Sequence, residues 1–130
     1  MTDLSQSLAL AASGMRAQAA RLRLVSENMA NMDTPGFRRK SAAFEQVMEA
    51  GKTNGTVKQG DVKLDRSVLP KIYEPSHPMA DPAGYYEGSN VNLIVEMADA
   101  REAQRSYEAN LKMFEQTRKM TSAVLDILRR

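Results

Sequence analysis

The sequence predicts a mainly α protein. Long N- and C-terminal helices pack as a coiled-coil-like pair, with a small irregular, β-hairpin-bearing segment between them. Two observations carry this. Apolar residues recur at steps of three and four at both ends of the chain, and residues 32–90 hold all five prolines and all but one of the seven glycines. The expected segments are an N-terminal helix over 1–31, an irregular middle with short β elements over 32–90, and a C-terminal helix over 91–130.

In the N-terminal helix the stripe is Leu4, Leu8, Ala11, Met15, Leu22, Val25 and Met29, interrupted only at Gln18. This is heptad-like spacing, and it places one narrow apolar line along a helix roughly 40 Å long. Asp3 or Ser5 is the expected cap. Gly14 is a weak point, costing about 1 kcal/mol against alanine inside a helix.

The C-terminal helix repeats the theme more strongly. Asn90 or Asn92 offers an N-cap, and Glu96 and Asp99 sit near the positive end of the helix dipole. One stripe contains Leu93, Met97, Ala100, Tyr107, Leu111, Phe114, Leu125 and Leu128, with Gln104, Arg118 and Thr121 interrupting it. A second contains Met113, Met120, Val124 and Ile127. Together they form an apolar face too wide for a single partner helix. Glu108 with Lys112 and Glu115 with Lys119 are expected i,i+4 ion pairs.

Between the helices, Val57, Val62 and Leu64 around Gln59-Gly60-Asp61 predict a short hairpin, and Leu69 to Tyr73 an extended segment. Residues 74–84 contain three prolines and are irregular but constrained. The first helix is expected to end at Asn31–Gly36, where Pro35-Gly36 suits a type II turn.

Sites of chemistry are sparse. Length allows one domain of 130 residues, and a net charge of +2 spread along the chain lacks the basic face of a nucleic-acid binder. Cysteine is absent, which excludes disulfides and thiolate metal sites. His77 is the only histidine and reads as structural, and the spacing of Asp61, Asp65 and Asp81 matches no calcium loop. No catalytic residue, cofactor or metal ligand is expected. Arg38-Arg39-Lys40 is the tightest basic cluster, expected to meet a neighbouring subunit or water. The N-terminal stretch, acidic at Asp3 and broken by Ser5, Gln6, Ser7, Ser13 and Gly14, reads as neither a secretory signal nor a membrane span. Too little else is available to cover both apolar stripes, so they are expected to serve as an interaction surface.

Taken together, the segments resemble the bacterial flagellar axial proteins, the rod and hook family. Residues 8–40 carry the N-terminal pattern: Ala12, Ser13, Gly14 and Met15, then Asn28, Ala30, Asn31, Thr34, Pro35, Gly36, Phe37 and Arg38. Residues 72–120 are similar to its proximal rod proteins through YEPSHPMAD, GYY, NVN and EMADAREAQRSYEAN. Ser89 departs from the family pattern, which has proline before Asn90.

The resemblance implies a structural subunit, not an enzyme. It would stack helically with other rod proteins and copies of itself into the shaft that carries torque from motor to hook. It also implies export through the flagellar type III apparatus, without a cleaved signal peptide, to a periplasm-spanning basal body whose ring is a further candidate partner. Neither nucleic acid nor direct membrane insertion is implied. Expected interface residues are Leu4, Leu8, Met15, Leu22, Val25, Met29, Leu93, Met97, Tyr107, Leu111, Phe114, Leu125 and Leu128. The alternative reading is a soluble helical-hairpin adaptor or export chaperone.

Overall fold

A computed structural model describes residues 2–130. Helix α1 spans Thr2–Ala30 and the middle carries six strands: β1 Lys40–Ser41, β2 Phe44–Glu49, β3 Lys52–Gln59, β4 Lys63–Leu64, β5 Lys71–Tyr73 and β6 Tyr85–Glu87. Helix α2 spans Leu93–Arg129. Its N-cap is Asn92, whose side-chain oxygen accepts the Ile94 N–H at 3.0 Å. Neither Asp3 nor Ser5 caps α1. Both lie inside the helix, and the position before Thr2 falls outside the described residues. Asp3 still sits in the first turn, where its negative charge is favourable beside the positive end of the helix dipole.

The two helices pack antiparallel. Asn28 faces Glu96, and a Cβ placed on Gly14 would come within 2.8 Å of the Asn110 side chain. Facing residue numbers total 124 in both cases. On α2 an unbroken 4-3 line of residues is withdrawn from solvent, Glu96, Ala100, Ala103, Tyr107, Asn110, Phe114, Thr117 and Thr121, with Asp99 and Ser106 half-buried at its edge. This seam shares Ala100, Tyr107, Phe114 and Thr121 with the expected line and is displaced from it by one residue at the alternate positions. It substitutes Ala103, Asn110 and Thr117 for Gln104, Leu111 and Arg118. On α1 the corresponding members are Gly14, Arg21 and Asn28, each one short of Met15, Leu22 and Met29. Small and polar side chains let the helices approach closely, so this phase wins over the bulkier one. Buried apolar residues among those described are Ala11, Ala17, Val25, Leu69 and Ala103. With three of these five alanine, the seam buries little apolar area.

Three two-stranded antiparallel sheets make up the middle, β1 with β4, β2 with β3, and β5 with β6. The expected hairpin around Gln59-Gly60-Asp61 is not formed. The hairpin turn lies instead at Ala50-Gly51, where φ is +52° and +78° and Glu49 pairs with Lys52. Two successive positive φ values are the mark of the twisted two-residue hairpin turn. At Gly60 the chain bends away, its N–H bonding Ala43 O at 2.8 Å, and β4 pairs with β1. The β2–β3 ribbon lies on α1, where the buried Ser13 hydroxyl accepts the Val57 N–H at 3.3 Å and donates to Leu10 O at 2.8 Å. The extended segment expected from Leu69 to Tyr73 contains β5.

Candidate assembly surface and the junction that orients it

The junction begins where α1 ends. Asn31 Nδ2 donates to Glu27 O at 2.8 Å, and Asn31 Oδ1 accepts the Thr34 hydroxyl at 3.1 Å. Phe37 N–H then bonds Thr34 O at 3.2 Å across Pro35-Gly36, with Gly36 at φ +76°. This is the type II arrangement expected from the sequence. No atom lies within 4 Å of a Cβ placed on Gly36, so backbone conformation rather than space demands glycine there. Gly36 N–H also bonds Glu87 O at 3.1 Å, which holds the turn against β6.

Past the turn, the chain is held by side chains from both helices. Asn28 is 1% exposed, and its amide bonds both backbone groups of Lys40: Nδ2 to the carbonyl at 2.8 Å, Oδ1 from the N–H at 2.9 Å. An asparagine thus stands in for a neighbouring strand. Glu96, fully buried, accepts from Asn28 and from Arg39 Nε, and Arg39 reaches Asp99 at 2.6 Å. Arg21 adds a 3.3 Å contact to Asp99. Burial acts to lower the Arg39 pKa. The hydrogen bond and charge of Glu96, with the charges of Asp99 and Asp65, outweigh it, and the guanidinium is held above its ordinary value.

Two further residues tie the exit to the middle segment. Asn90 accepts Arg39 N–H at 2.6 Å and donates to Asp65 O at 3.0 Å. Arg38 donates to the carbonyls of Asp65 and Ser67 at 3.1 and 2.9 Å. Hydrogen bonds from Ser67 chiefly, and the charges of Arg39 and Arg38 after them, hold the Asp65 carboxyl below its ordinary range. The basic cluster is therefore not left for a neighbour or water. Arg38, Arg39 and Lys40 each take an internal partner, Lys40 pairing with Glu27 at 2.7 Å.

Sequence reasoning left Asn90 as a possible cap and Glu96 as a dipole partner, and did not foresee either role here. The available signal was a glutamate on the heptad phase of Ala100, Ala103 and Tyr107. Ser89, at the position where proline was expected, is 8% exposed, and its hydroxyl accepts the Val91 N–H at 3.1 Å. That bond closes a local turn by a different means. His77 Nδ1 accepts the Met79 N–H at 3.1 Å while its ring stacks on Tyr86 at 3.9 Å.

The expected interface residues divide by position. Val25 is buried inside the chain, and Leu4, Leu8, Met15, Leu22, Met29, Tyr107 and Phe114 are half-buried. Leu93, Met97, Leu111, Leu125 and Leu128 are exposed, as are Met113, Met120, Val124 and Ile127 of the second stripe. The seam's 4-3 spacing continues with Val124 and Leu128, which stand 38% and 73% exposed. The ion pairs expected between Glu108 and Lys112 and between Glu115 and Lys119 are not among the salt bridges of the described residues. No helix among the described residues is long and apolar enough to cross a membrane.

Two features thus coincide: an N-terminal helix running into an Asn-rich, Pro-Gly turn, and a C-terminal helix with uncovered stripes. Comparison with known proteins finds the same two regions. Residues 8–38 match the family model described as "Flagella basal body rod protein", and residues 83–127 match "Flagellar basal body rod FlgEFG protein C-terminal". A flagellar basal-body rod protein FlgC of Agrobacterium fabrum is 40% identical, over 99% of this chain and 98% of its own. The chain belongs to the FlgC family of flagellar basal-body rod proteins. FlgC proteins of Escherichia coli and Bacillus subtilis are each 32% identical, over 91% and 93% of this chain and 92% and 95% of theirs. Within this FlgC-family chain the junction residues from Asn28 to Arg38 fall inside the N-terminal match, while Asn90 and Glu96 fall inside the C-terminal one.

Proposed function

We propose that this chain is a structural subunit of the proximal rod and builds the drive shaft by helix–helix packing with copies of itself and other rod proteins. The observation that carries this reading is the mismatch between seam and stripes. Within one chain the helices meet through Gly14, Asn28, Ala103 and Asn110, while Leu93, Met97, Leu111 and Leu125 border the seam uncovered. An exposed apolar surface along a helix of 37 residues is the mark of a surface that another molecule covers. The expected segments take their parts accordingly. Residues 1–31 and 91–130 act as coiled-coil-like assembly helices, and 32–90 forms an outer element whose departure angle the junction sets. The proposal also takes in export through the flagellar type III apparatus and contact with the basal-body ring.

The test uses Val124→Asp with Leu128→Asp in the native chain. Both positions are exposed, so the isolated subunit should keep its helix content. Incorporation into purified basal bodies, and motility with it, should be lost. Normal incorporation of the doubly substituted chain would overturn the reading.

A further inference from the structure

Strand β3 holds a reactive pair of residues that neither the junction nor the helix stripes use. Of the six asparagines, only Asn54 is followed by glycine; the others precede Met29, Met32, Val91, Leu93 and Leu111. A side chain after asparagine shields the peptide nitrogen, and glycine leaves it open. The ladder also breaks at this pair. Gln46 pairs with Val57 and Met48 with Thr53, so Asn54, Gly55 and Thr56 stand opposite Val47 alone. Gly55 lies exposed in this bulge at φ +84°.

Hydrogen bonds turn the bulge into a site. Asn54 Oδ1 accepts twice from Thr56, from its N–H at 2.9 Å and from its hydroxyl at 2.6 Å. The first bond folds the Asn54 side chain forward over the Gly55 peptide unit, as an Asx turn. Gly55 N–H leaves the ladder and donates to Thr53 Oγ1 at 3.1 Å. The contact from Asn54 Nδ2 to Glu49 Oε2 is long, at 3.4 Å. One side-chain carbonyl is thus gripped by two donors, the neighbouring peptide nitrogen has an acceptor for its proton, and the amide nitrogen is held loosely.

We propose that Asn54-Gly55 is a self-modifying site, at which the folded chain converts its own asparagine to a mixture of aspartate and isoaspartate. The Gly55 nitrogen, giving up its proton towards Thr53 and water, bonds to Asn54 Cγ, and the Cγ–Nδ2 bond breaks to release ammonia. Water then opens the five-membered imide at either carbonyl. One amide and one water become one carboxylate and one ammonium ion, and no other reactant is needed. The charge that develops on Oδ1 during the attack meets the two Thr56 donors already in place, the arrangement that stabilises an oxyanion. The turn holds nitrogen and carbon within one short ring, so little freedom is lost on closure. Conversion then alters the ribbon. Either product sets a second carboxylate beside Glu49, and isoaspartate adds a carbon to the main chain where a Cβ on Gly55 would already come within 3.0 Å of Leu10. The β2–β3 ribbon of an aged chain is thereby loosened from α1. Nothing in this depends on assembly.

The test ages the purified full chain at neutral pH beside a synthetic peptide of residues 49–60 in the same buffer. Peptide mapping by mass spectrometry follows the aspartyl and isoaspartyl products in both. The folded chain should convert Asn54 at least about fivefold faster than the peptide, and ahead of its other five asparagines. Thr56→Val should slow the folded chain by about fivefold, the rate equivalent of one ordinary hydrogen bond, and leave the matching peptide unchanged. Thr56→Ser, which keeps the hydroxyl, should restore the rate. Conversion in the native chain no faster than in the peptide would sink the proposal. So would a Thr56→Val chain that is folded by circular dichroism and ages at the native rate. The comparison of native chain with peptide needs no variant, so it decides the matter even if Thr56→Val fails to fold.

Discussion

Asn28 of α1 pairs with Lys40 as one strand residue pairs with another, its side-chain amide meeting the Lys40 carbonyl and N–H at 2.8 and 2.9 Å. The amide also reaches the buried Glu96 at 3.3 Å, so one side chain joins α1, α2 and the start of the outer segment. Asn28→Ala leaves two partly buried backbone groups and part of a buried carboxylate without partners. The expected loss is about 1–3 kcal/mol of folding stability. Urea unfolding of the purified chain, followed by circular dichroism, measures it. A loss below about 0.5 kcal/mol, the level of an ordinary surface change, would remove Asn28 from the junction.

Gly14 and Asn110 should be energetically coupled. A Cβ at Gly14 falls 2.8 Å from Asn110 Nδ2, which itself donates to Ser106 O at 3.0 Å. Alanine gains about 1 kcal/mol of helix propensity over glycine, but here it must displace the asparagine. Gly14→Ala should therefore stabilise by about 1 kcal/mol when Asn110 is already alanine, and by clearly less when it is not. A double-mutant cycle in urea reads the difference, and additive effects would mean that the helices do not touch there.

Ala50 sits at φ +52° in the first central position of the β2–β3 turn, a conformation that glycine and asparagine adopt more readily. Ala50→Asn should strengthen the hairpin by about 0.5–1 kcal/mol, and Ala50→Val should weaken it. Hydrogen-exchange protection of the β3 amides reports both. Equal protection in all three chains would contradict the turn assignment.

Acid should loosen the Asp65–Ser67 turn on which the junction rests, because the Asp65 carboxylate accepts the Ser67 N–H at 2.8 Å. The Asp65 carboxyl titrates lower in the folded chain than its ordinary value of 3.8, so near that pH the unfolded chain binds more protons. Its contribution is complete above the ordinary value and is lost as pH falls through the lowered one. Asp65→Asn should flatten the acid limb of the stability profile below about pH 4 and leave its shape near neutrality unchanged. An unaltered acid limb would show that the carboxylate is not held by Ser67 and the two arginines.

Much of this was legible in the residues. The 4-3 spacing marks both helices, the prolines and glycines mark the middle, and Pro35-Gly36 marks the type II turn, because each is a local property of backbone and side-chain chemistry. The β2–β3 hairpin was not legible. Its strands are largely polar, since the ribbon meets α1 at Ser13 and at Gly55, where an added Cβ would fall 3.0 Å from Leu10, rather than through an alternating apolar face, and its turn carries Ala50 where Asn or Gly would have announced it.

By itself the sequence determined that two amphipathic helices flank an irregular segment and that together they carry more apolar surface than one partner helix can cover. Tertiary structure decided which line of each helix faces inward. Periodicity alone cannot choose between two phases one residue apart. Close approach at Gly14, and the desolvation of Glu96 compensated by Arg39 and Asn28, favour the small polar line, and the leucines and methionines of α2 are left outward, where the proposed assembly would cover them.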